Sequence, residues 1–125
     1  MTLPSSETLL DVDDGYTALC VTRSSPKQLD LLVSVRHEPM DQRRVAFSLT
    51  PEQLRHLIDA LEQPGKSRHG HLSLWTARSI YLMPRHAPSQ TYREILLYRA
   101  TLLGSWKVPA TLSTEMVRAL KALRV

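Results

Sequence analysis

The stretch Phe47-Ser-Leu-Thr-Pro-Glu-Gln-Leu-Arg-His-Leu-Ile-Asp-Ala-Leu61 constrains the fold more than any other part of the chain. Thr50 is placed to cap a helix with its hydroxyl, Pro51 suits the first helical position, where no N–H is needed, and Gln53 completes a capping box. Leu49 and Leu54 stand at the two ends of a hydrophobic staple, and Leu54, Leu57, Ile58 and Leu61 recur at helical spacing on one face. A shift of 63 positions lands on Ala110 to Leu123, where Leu112, Ser113, Glu115, Val117, Arg118 and Leu120 answer Leu49, Thr50, Glu52, Leu54, Arg55 and Leu57. The same helix start occurs twice, so the chain reads as a tandem duplication.

What precedes each helix is strand-like. Thr8 to Val12 is a short strand, Asp13-Asp14-Gly15 a hairpin turn, and Tyr16 to Arg23 alternates with many β-formers. After the turn Ser24-Ser25-Pro26-Lys27, Gln28 to His37 places Leu29, Leu31, Val33 and Val35 on one face at period two. Glu38-Pro39-Met40-Asp41 turns again, and Arg43 to Leu49 leads into the helix, while residues 1–7 form a polar lead-in. Gln63-Pro64-Gly65-Lys66 stops the helix, and the pattern restarts with strands predicted over His71 to Thr76, Ser79 to Arg85, Thr91 to Ala100 and Trp106 to Leu112. In the gapless register, Leu9/Leu72, Leu19/Leu82, Arg36/Arg99 and Leu49/Leu112 coincide.

One four-strand sheet with one narrow helix cannot cover its own apolar face. The expected fold is therefore α+β, with two ββββα repeats over 8–63 and 71–125, a linker at 64–70, and a single domain spanning 1–125. Its two antiparallel sheets are bent, and its two helices pack together in a pseudo-twofold core.

Net charge is +4, but it is unevenly spread. Residues 1–65 carry ten Asp/Glu against six Lys/Arg, a balance of −4, and residues 66–125 carry two against ten, a balance of +8. So basic a half favours a polyanionic partner, nucleic acid first. Neither a targeting pattern nor an apolar run near the roughly 18 residues of a membrane span is present, and no membrane partner is expected. Cys20 alone makes no internal disulfide, which points to a reducing, cytoplasmic setting.

A unit of four strands running straight into a helix opened by Ser48-Leu49-Thr50-Pro51-Glu52-Gln53 resembles the single-stranded-DNA-binding domain of transcriptional positive cofactor four. Two such units in one chain look like the Whirly arrangement, and the Pur-alpha repeat is similar. The resemblance covers nearly all of residues 8–125. It implies single-stranded nucleic acid bound across the outer sheet surfaces, with the helices buried.

Cations for phosphates and flat rings for bases are the residue types such a ligand needs. The strand-borne candidates are Arg36, Arg44, Arg78, Arg85, Tyr92, Arg93, Arg99, Trp106 and Lys107. Alternation puts Arg93 and Arg99 on one side of their strand, expected to be the solvent side, opposite Tyr92, Glu94, Leu96 and Tyr98. Tyr81, Tyr98 and Trp106 fit either a binding face or the core. Arg68-His69-Gly70-His71 reads as a polar loop without metal-ligand spacing, and Asp11, Asp13 and Asp14 as a solvated turn. Cys20 reads as an inert thiol. Neither a phosphate-cradling glycine loop nor a nucleophile elbow is present, so no cofactor, no metal and no enzymatic activity are expected. The rival to nucleic-acid binding is a protein-interaction module, docking a partner or another copy through sheet edges or opposed charged faces.

Overall fold

The computed structural model describes residues 7–38, 41–72 and 74–123. The lead-in over 1–6 and the turn centre Pro39-Met40 lie outside the described residues. The chain runs β1 (Glu7–Asp13), β2 (Thr17–Ser25), β3 (Gln28–Glu38), β4 (Asp41–Leu49), α1 (Pro51–Glu62), β5 (Ser67–Leu72), β6 (Ala77–Leu82), β7 (Arg93–Thr101), β8 (Gly104–Leu112) and α2 (Thr114–Lys121). Each group of four strands is an antiparallel meander, in the order β1-β2-β3-β4 and β5-β6-β7-β8. The Asp-Gly turn works through its side chains: Asp13 Oδ1 accepts from the Gly15 N–H at 2.7 Å, and Asp14 Oδ1 accepts from those of Tyr16 and Thr17. Pro109 lies in β8, an edge strand of its sheet, where a missing N–H is tolerated.

Helix α1 begins as its sequence predicts. Thr50 Oγ1 accepts from Gln53 N at 3.1 Å, and Gln53 Oε1 accepts from Thr50 N at 2.9 Å. Ser113 caps α2 through its hydroxyl alone, accepting from Met116 N without a reciprocal side-chain bond from that residue. Leu54, Leu57 and Leu61 of α1 and Met116, Val117 and Leu120 of α2 are buried. They pack with Leu19, Val21, Leu29, Leu31 and Val33 of the first sheet and Ile80, Leu82, Ile95, Leu97 and Val108 of the second in one core. Each such side chain contributes about 1.5–3 kcal/mol. The two helices touch, β4 lies against β5, β6 and β7, and β8 lies against β2 and β3, so each repeat lays its last strand on the other's sheet.

Pairing shows which residues correspond. Val33 stands between Leu19 and Val45, and Leu97 between Ile80 and Val108. The shift of 63 therefore holds for the last strands (108 against 45), but is 64 for the third (97 against 33) and 61 for the second (80 against 19). Leu49/Leu112 is a true correspondence, whereas Leu19 answers Ile80 and Arg99 answers Val35. The first strand of the second repeat begins at Ser67, so the linker expected over 64–70 is shorter and Arg68-His69-Gly70-His71 is strand.

The orientation expected for β7 is reversed at its start. Ile95 and Leu97 point into the core, and Arg93, which shares their parity, is buried at 1% exposure. Two apolar neighbours outweigh one charge in setting the face of a strand, provided the charge finds partners inside.

Candidate nucleic-acid interface

Arg93 has those partners. Its Nε donates to Met83 O at 2.8 Å, Nη1 to the carbonyls of Ala60, Leu61 and Gln63, and Nη2 to Gly65 O at 2.6 Å. Arg85 donates to Leu61 O through Nη2. Helix α2 carries Arg118 and Lys121 in its last turn, but α1 has no basic residue there. The negative end of α1 is met instead by two arginines from the other repeat. Burial, and then the neighbouring Arg85 guanidinium, pulls the Arg93 pKa below its ordinary value. Arg93 and Arg85 thus tie the repeats together, and Arg93 is buried on carbonyls rather than on the solvent side expected for it.

Three of the other candidates converge. Arg44 stands on the outer face of the first sheet, opposite Ser34 in the ladder. Arg78 and Arg99 are paired across β6 and β7, with Trp106 next in the row on β8. That row shares the face of Ile80, Leu97 and Val108 and continues the core-facing side of the second sheet past its apolar part. Arg78 Nη1 reaches Ala46 O at 3.3 Å and so covers part of the edge of β4. Leu32, Arg44, Val45, Ala46, Arg78 and Arg99 line a crevice of about 210 Å³, with no carboxylate among these residues. A second hollow, lined by Arg99, Thr101, Leu103, Gly104, Ser105 and Trp106, shares Arg99 with it. Trp106 is half-buried, and the Arg43 guanidinium carbon lies 5.6 Å from its ring centre. Arg36 is exposed on the same face as Arg44, paired with Gln42. Guanidiniums from three strands and two repeats therefore flank one opening, beside an indole. Such an opening fits a phosphate held through several N–H donors.

The outer face of the second sheet is a separate surface. Tyr81 and Tyr98 lie on it half-buried, with Lys66 Nζ at 5.9 Å and the Arg68 guanidinium at 5.6 Å from the Tyr81 ring centre, and Lys107 Nζ at 5.6 Å from that of Tyr98. Arg68 Nε also donates to Ser79 Oγ at 3.1 Å. Lys107 therefore faces away from the crevice. Tyr92 is 42% exposed, just before β7, and joins neither group. Sequence reasoning put Arg68 in a loop and left Lys66 out. The Pro64-Gly65 break just before them was the signal that a strand begins there.

Asp11 and Asp13 on β1, the far edge of the first sheet, and Asp30 on β3 share the outer face with Arg44. Cys20 pairs with Asp11, and burial and then that carboxylate push its thiol pKa up. Among the described residues, no group of three or more His, Cys, Asp or Glu gathers at metal-binding distance, and no helix is long and apolar enough to cross a membrane. No protein-family model matches the chain, and a search of curated proteins finds no match.

Proposed function

We propose that this protein binds single-stranded nucleic acid with little sequence preference. The carrying observation is the convergence of Arg44, Arg78 and Arg99 on one crevice that has Trp106 beside it. On this reading the guanidiniums hold successive phosphates, Trp106 stacks a base at the shared hollow, and Arg36 extends the track over the first sheet. A crevice of about 210 Å³ is small beside the width of a duplex, which supports a preference for single strands. Two tandem units of four strands and a helix agree with the resemblance to the cofactor-four, Whirly and Pur-alpha type, which supports the same ligand. Fluorescence anisotropy with a labelled oligonucleotide, single-stranded and then annealed, tests this at two salt concentrations. Single strands bind more tightly, with log K falling by about 0.7 per phosphate contact against log salt. Equal affinity for duplex, or an affinity indifferent to salt, refutes the reading.

The acidic side of the first sheet supports a second reading, in which it docks on the cationic sheet of another copy. Sedimentation velocity at rising protein concentration tests this. Salt-sensitive dimers without oligonucleotide binding favour it.

A further inference from the structure

The turns joining β5 to β6 and β7 to β8 lie side by side at one end of the second sheet, because the sheet is a meander. They carry every highly exposed aliphatic side chain among the described large hydrophobics, Leu74 at 93%, Leu102 at 75% and Leu103 at 99%, together with Trp75 at 65%. The β7–β8 turn is held in shape by its own hydrogen bonds, Leu103 N to Thr101 Oγ1 and Thr101 Oγ1 to Gly104 O. The leucines therefore project from an ordered turn.

The duplication supplies an internal control. The first-repeat counterpart of the β5–β6 turn, between β1 and β2, is Asp13-Asp14-Gly15-Tyr16, acidic, closed by its own carboxylates and without a leucine, its one exposed ring being the amphipathic Tyr16. The fold does not demand apolar tips. Behind them stand Arg78 and Arg99 on one face of the sheet and Lys107 on the other. Arg99 precedes Leu102 by three residues, about 10 Å along a strand. No Asp or Glu occurs between Ser67 and Leu82, or between Ile95 and Leu112.

We propose that these paired hairpin tips dock on an anionic membrane surface. The leucines and Trp75 enter the boundary between headgroups and acyl chains, about 5–10 Å deep, which leaves the arginines at the level of the lipid phosphates. Two separate projecting tips with a cationic collar suit a deformable anionic layer, whereas a rigid protein partner needs two matching sockets. A tryptophan among the leucines is the ring type that settles at a membrane–water interface.

Co-sedimentation with phosphatidylglycerol vesicles, and with phosphatidylcholine vesicles as control, tests the proposal. Wild-type protein sediments with the anionic vesicles and is released by salt. Leu74→Ser/Leu102→Ser, at 93% and 75% exposure and outside the Trp106 hollow, weakens this at least about tenfold. Brominated phosphatidylglycerol quenches tryptophan fluorescence, and Trp75→Phe abolishes most of the quenching while still binding. No binding to anionic vesicles, or unchanged binding of the double serine variant, overturns the proposal. So does a double variant that only dissociates a wild-type dimer, because the tips then face a second copy. Oligonucleotide affinity is unaffected by the serine variant, which keeps the outcome independent of the nucleic-acid reading.

Discussion

Replacing Arg93 by Met keeps the length and apolar stem of the side chain and removes every donor. Five carbonyls then lose a partner. Gln63 and Gly65 are exposed, so their carbonyls rehydrate at little cost. Of the other three, Ala60 O keeps the Gln63 N–H and Leu61 O keeps Arg85, which leaves the carbonyl of half-buried Met83. At about 1–3 kcal/mol for one unsatisfied buried group, with the loss of charge-assisted bonds to carbonyls that keep a weaker partner, the loss is about 2–3 kcal/mol. Arg93→Lys recovers only part, because one ammonium cannot span an array that the planar guanidinium meets with three nitrogens. Urea unfolding followed by circular dichroism measures this as a lower midpoint at unchanged slope. A loss below about 1 kcal/mol for Arg93→Met refutes the claim that this arginine closes the end of α1 and joins the repeats.

Removing the cap by Thr50→Ala costs about 1 kcal/mol by the same assay. Gly70→Ala is worse, about 2–3 kcal/mol, because a Cβ there stands 2.1 Å from Arg78 O and the backbone has φ +145. His69 is half-buried beside Ser67, and its pKa is lowered from 6.5 by burial and then by His56. The unfolded chain therefore takes up that proton first, so the His69 contribution is intact above pH 6.5 and is lost as pH falls toward the folded pKa. A His69→Gln variant flattens the melting temperature against pH below 6.5. Cys20, its pKa raised, reacts with a thiol reagent at neutral pH more slowly than free cysteine does, and stopped-flow absorbance gives the ratio.

The helix start, the strand count and the duplication were legible because each rests on a local signal: a capping box, turns rich in Pro, Gly and Asp, and period-two leucines and valines. Strand β5 was not, because Arg68-His69-Gly70-His71 is an edge segment without apolar alternation and reads like a loop. Arg93 was misread because charge usually marks the outside of a strand. Its inward turn depends on the end of α1, some thirty residues away in sequence, which periodicity cannot report. The crevice was half-legible. Arg44, Arg78 and Arg99 stand out as strand-borne cations, but only the laying of β4 against the other repeat's sheet brings them together. The apolar tips escaped notice since Leu74-Trp75 and Leu102-Leu103 lie far apart in the chain and meet only through sheet order.

The slope of log K against log salt for a labelled single strand, compared between wild type and Arg78→Gln/Arg99→Gln, tests the central claim most directly. Loss of two phosphate contacts makes the slope shallower by about 1.4, with affinity falling at low salt and the fold unchanged by circular dichroism. A variant that binds the strand with the wild-type slope contradicts the assignment of the inter-repeat crevice as the nucleic-acid site.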